Sequence, residues 1–81
     1  MTRHAVARVF SVQARIVALR ARHRDLEASI AGEERRPAPD AAQVQALKRQ
    51  KLRVKDELSR CEGLLRLIER GATPRAAVAP A

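Results

Sequence analysis

The sequence predicts an all-α protein, a two-helix antiparallel hairpin with a coiled-coil seam. Apolar residues recur at alternating spacings of three and four along two long stretches, and two prolines one residue apart separate those stretches. Phe10 is the one aromatic residue in 81, and strands of sandwiches and barrels draw on aromatic and β-branched runs that this chain lacks. Of its hydrophobic residues 16 are alanine and 21 are larger, too few for a compact globule with a deep catalytic cleft.

The first stripe runs Ala5, Val9, Val12, Ile16, Leu19, His23, Leu26, Ile30, a heptad pattern with Val9 at a and Val12 at d. The second runs Val44, Leu47, Lys51, Val54, Leu58, Cys61, Leu65, Ile68 by the same rule. Pro37 and Pro39 remove backbone donors and push the residues before them out of the α region, so the chain turns over residues 36–40. Asp40 is placed to cap the second helix, with Gln43 reaching back in a capping box. Gly71, in the left-handed conformation just past the last turn, and Pro74 end that helix. The expected organisation is one domain over residues 1–70, helices at about 4–35 and 41–70, and a disordered Ala/Pro tail over 71–81. Gly32 either weakens the first helix or stops it early.

A short loop makes the helices antiparallel, and in such a pair an a residue layers against a d residue, so paired residue numbers share a constant sum. Sums of 77 and 70 both satisfy the pattern. The first pairs Ile30 with Leu47, Leu19 with Leu58 and Val9 with Ile68, and closes the loop by setting Arg36 beside Ala41. The second would end the first helix near Ile30, with Gly32 as its terminal glycine.

Charge is uneven along the chain. Residues 1–24 hold six arginines and no acid, residues 25–40 carry a net −3, and residues 41–81 a net +5, for +8 in all. Such a balance attracts polyanions or acidic partners without specifying which. The basic, acid-free start has the composition of a mitochondrial presequence, but its unbroken heptad periodicity argues for a structural helix. No apolar run is long enough to span a bilayer and no secretory apolar region is evident, so the expectation is a cytoplasmic protein with no membrane span. Cys61 alone cannot form an internal disulfide, and with only His4 and His23 beside it no metal site is expected.

His23 and Lys51 are the polar members of apolar stripes, and polar residues there commonly fix register at some cost in stability. Glu27, one turn on, is the one obvious acid partner for His23, which is too little for catalysis. Cys61 is expected as a small core residue. Lys48, Arg49, Arg53 and Lys55 form a cluster able to contact phosphates or to serve as a solvated face. Asp56 with Arg60 and Glu62 with Arg66 are spaced as surface i,i+4 pairs, which favours the solvated face. Val6, Phe10, Leu64 and Leu67 lie off the stripes near the open end of the hairpin, where the sum of 77 sets Phe10 level with Leu67. Together with Val9 they are the candidate contact for a partner protein or a second copy.

The residues His23-x-x-Leu26-x-x-x-Ile30, then Arg36-Pro37-Ala38-Pro39-Asp40, then Leu47-Lys48-Arg49-Gln50-Lys51-Leu52-Arg53-Val54-Lys55-Asp56-Glu57-Leu58, resemble the YdcH-like family of small bacterial proteins of unknown function. The resemblance covers about residues 20–60, with Val54 and Leu58 standing where that family usually has Leu and Ile. It implies a helical hairpin in a bacterial cytosol and supplies no catalytic residue. The expected function is accordingly non-enzymatic and without cofactor, a protein–protein interaction module or self-associating hairpin. A basic nucleic-acid-binding protein is the alternative.

Overall fold

The computed structural model describes residues 2–71, which form two helices, α1 at Arg3–Glu34 and α2 at Ala41–Glu69, packed as a hairpin. At 1.5 Å per residue they are about 48 and 44 Å long. Both begin as capped helices. Thr2 Oγ1 accepts from the Ala5 N–H at 3.1 Å, and Asp40 Oδ1 accepts from the Gln43 N–H at 3.1 Å. The reciprocal half of the expected capping box is filled by another residue, because the Asp40 N–H donates to Glu33 Oε1 at 3.0 Å.

Glu33 ties the loop shut. Its two carboxylate oxygens also accept from Arg36 Nη1, at 3.1 and 3.2 Å, so one side chain holds the end of α1, the middle of the turn and the start of α2. The Asp40 amide first, then the Arg36 guanidinium, favour its ionised form and hold Glu33 below the usual carboxylate range. Gly32 does not end α1. The helix runs two residues beyond it and closes with the Arg35 N–H on Ala31 O at 3.1 Å. α2 ends as expected: Gly71 takes φ +78°, its N–H bonding Ile68 O at 2.9 Å, a conformation that a side chain would strain. The rest of the anticipated tail lies outside the described residues.

Every one of the sixteen stripe positions is buried or half-buried, with Ile16, Leu26, Ile30, Val44 and Ile68 most enclosed. The register follows from the polar contacts beside the seam. Arg15 with Glu57 and Arg22 with Gln50 have residue numbers summing to 72 on one flank. Arg20 with Glu62 and Glu34 with Lys48 sum to 82 on the other. These bracket 77, whereas a register of 70 has no place for contacts at 82. The layers are therefore Ile30 with Leu47, His23 with Val54 and Ile16 with Cys61.

This register makes a single-substitution prediction. Ile16→Cys places a second thiol in the layer of the free Cys61, so mild oxidation should yield an intramolecular crosslink, seen as a faster band on non-reducing electrophoresis. Val9→Cys, which the sum of 70 would pair with Cys61, should stay uncrosslinked; the opposite pattern would establish the shifted register.

Candidate protein-interaction face

The hairpin is two helices thick in one direction and one in the other, so it presents two broad flanks. The first is the side bridged by Arg20 to Glu62 at 2.9 Å and by Lys48 to Glu34 at 3.8 Å. The second is the side bridged by Arg15 to Glu57 and by Arg22 Nη2 to Gln50 Oε1 at 3.3 Å. Glu62 thus reaches across to α1 instead of forming the expected pair with Arg66, and Asp56 and Arg60 are likewise unpaired with each other. Glu62 flanks the seam, where the other helix is nearer than its own next turn.

The anticipated contact residues do not form one patch. Val9 is a half-buried member of the seam. Val6 and Phe10 stand on the first flank, since Val6 precedes Arg20 by two heptads and Phe10 lies one turn on. Phe10 is 66% exposed. Leu64 follows Glu57 by one heptad and Leu67 lies one turn beyond it, so both belong to the second flank, where they are half-buried. Phe10 and Leu67 are level along the hairpin but on opposite sides of it.

Two exposed apolar residues escaped the sequence reading. Val17 is 66% exposed and borders a first-flank groove with Arg20, Glu62 and Arg66. Leu52 is 61% exposed and borders a second groove with Glu27, Glu34, Lys48 and Lys55, again on the first flank. A signal existed for Val17: Val6, Phe10, Gln13 and Val17 repeat the four-three spacing beside the main stripe. All four exposed large apolar side chains among the described residues, Val6, Phe10, Val17 and Leu52, therefore share one side of the hairpin.

The basic run is also divided. Lys48 and Lys55, one heptad apart, face the first flank, Arg53 the second, and Arg49 points away from α1. His23 has the partner expected, Nδ1 lying 2.7 Å from Glu27 Oε1, while its Nε2 is enclosed with no hydrogen-bond partner. No group of three or more His, Cys, Asp or Glu among the described residues is arranged to hold a metal ion, and no helix there is long and apolar enough to cross a membrane.

The family described as protein of unknown function (DUF465) matches residues 16–62, more than half of the chain. The chain belongs to this family. DUF465 contains the YdcH-like small bacterial proteins that the loop and lysine-rich motifs resemble. The matched span takes in the closed end of the hairpin, the Glu33 clamp and both cross-helix bridges of the first flank; Val6 and Phe10 lie before it. No curated protein and no solved structure matches the chain. DUF465 membership thus accords with the hairpin and leaves the activity open.

Proposed function

We propose that this protein is a non-enzymatic interaction module that binds another protein through its first flank. The observation that carries this reading is the gathering of Val6, Phe10, Val17 and Leu52 on one side of a hairpin whose own seam is already closed by other residues. Apolar side chains that a fold leaves together in water mark a surface that gains free energy when covered. The polyanion reading has less support, because Lys48, Arg49, Arg53 and Lys55 point three ways around α2 and Lys48 is engaged by Glu34.

A photo-crosslinking amino acid placed at Phe10 in living cells should give discrete protein adducts on irradiation, and one at Ser11, on the opposite flank, should give few. Equal yields at the two positions, or none at Phe10 in a protein that retains its helical circular dichroism, would overturn the reading.

A further inference from the structure

The interaction-module reading leaves the partner's chemistry unspecified, and the pattern on the first flank narrows it. The register of 77 converts each α2 residue into an equivalent level on α1, and Leu52 comes level with residue 25. The four exposed apolar residues then stand at levels 6, 10, 17 and 25, the first three on α1 and the last on α2. Their line is oblique. It advances about 28 Å along the hairpin at 1.5 Å per residue while stepping across one interhelical spacing of about 8 to 10 Å, an inclination of about 20°. That shallow crossing is one at which helices commonly pack.

Charge along the line is equally ordered. Arg20, Arg24 and Lys55 stand at levels 20 to 24, between Val17 and Leu52, and Lys51 and Lys48 follow on α2. Glu62 neutralises Arg20 and Glu34 approaches Lys48, but Arg24, Lys51 and Lys55 meet no carboxylate within ion-pair distance among the described residues. The line is therefore bordered by cations along its length, Arg66 beside Val17 toward the open end and Arg24, Lys51 and Lys55 toward Leu52, with Glu27 an acid on the Leu52 groove.

A second copy fits this surface poorly. Laid face to face with like ends together, it sets Arg24 and Lys55 against the same two cations of the other copy. Laid with ends reversed about the centre of the apolar line, it sets Arg24 on the aliphatic Val6 of the other copy. Like charges apposed, or a cation desolvated against an aliphatic side chain, both oppose association.

We propose that the first flank binds an amphipathic helix of another protein, about 20 residues long, laid obliquely from α1 at the open end to α2 at Leu52, and bordered by acidic residues where it passes Arg24 and Lys55. This rests on the interaction-module reading and specifies its ligand. The apolar line supplies burial, and the free cations select the sign of the ligand's charge.

The test uses the full chain and three synthetic helical peptides of about 20 residues. One has a leucine stripe bordered by glutamates, one the same stripe bordered by lysines, and one the glutamates with serines replacing the stripe. In fluorescence-anisotropy titrations the Glu-bordered leucine peptide should bind at least about tenfold more tightly than either control, a difference that shrinks as salt rises and screening shortens. Val17→Ser with Leu52→Ser should weaken it by about tenfold or more while helical circular dichroism is retained. Arg24→Glu with Lys55→Glu should transfer the preference to the Lys-bordered peptide, and Arg53→Glu with Arg60→Glu, on the other flank, should leave it unchanged. Equal binding of the two leucine peptides, or loss of binding on the Arg53 and Arg60 change alone, would refute the assignment. So would sedimentation showing a dimer that the Val17 and Leu52 changes dissociate. Crosslinked adducts at Phe10 with no binding of the acidic peptide would retain an interaction module and reject this ligand.

Discussion

Leu26→Ala is expected to cost about 2 to 5 kcal/mol, enough to leave a substantial fraction of the chain unfolded at room temperature. Leu26 is the most enclosed apolar side chain, 3% exposed, at the centre of a seam only two helices wide. Removing three carbons there forfeits their transfer free energy, and the layer cannot close readily because its register is held from both flanks by Arg20 with Glu62 and Arg22 with Gln50. A core of this size contributes only a few kcal/mol in total. Urea titration followed by circular dichroism at 222 nm checks it, with Val17→Ala as the contrast. Val17 is 66% exposed, and its truncation should change the unfolding free energy by no more than about 0.5 kcal/mol. If the two variants lost equal stability, the seam would not be where the fold is held.

The seam was legible because a two-helix hairpin has only one place to bury apolar groups, and the three-four spacing states it directly. Even the polar members His23 and Lys51 are half-buried at their stripe positions. Asp40 and Gly71 were legible for the same local reason: a cap and a left-handed terminus are decided within one turn.

What escaped depends on the other helix. Glu33 looked like one of two acids ahead of a proline loop, and only the closed turn brings the Asp40 amide and Arg36 onto it. Glu62 was spaced to pair with Arg66, but beside the seam Arg20 competes for it and wins. Val17 adjoins the stripe member Ile16 and in one dimension reads as part of the same apolar run, while Leu52, between Lys51 and Arg53, reads as a lone apolar residue in a basic stretch. Turned into a helix, one residue is a rotation of 100°, which takes them from the seam to the open flank. The split between Phe10 and Leu67 has the same cause: the sum rule fixes level along the hairpin and says nothing of side.

His23→Leu is expected to stabilise the hairpin by about 1 to 2 kcal/mol, a rise of several degrees or more in the thermal midpoint for a chain this short. The imidazole satisfies one nitrogen against Glu27 at 2.7 Å and encloses the other with no partner, and an unmade hydrogen bond in such a place costs about 1 to 3 kcal/mol. Leucine removes that cost and adds apolar contact in the layer with Val54. The lost contact to Glu27 offsets little, because that carboxylate is 50% exposed and recovers its hydration in water. The substitution also asks whether His23 sets the register, as polar seam residues commonly do. In the register of 77 the two polar layers, His23 with Val54 and Leu26 with Lys51, are neighbours. In the register of 70 they are neighbours again, as His23 with Leu47 and Leu19 with Lys51. The polar pair therefore discriminates weakly between the two, and the four cross-helix contacts on the flanks and the Glu33 clamp do the selecting. Combined with Ile16→Cys, the His23→Leu protein should keep its crosslink to Cys61 while melting higher. A crosslink lost with stability gained would transfer the register-setting role to the histidine, and stability lost would mean that Nε2 has a partner in solution.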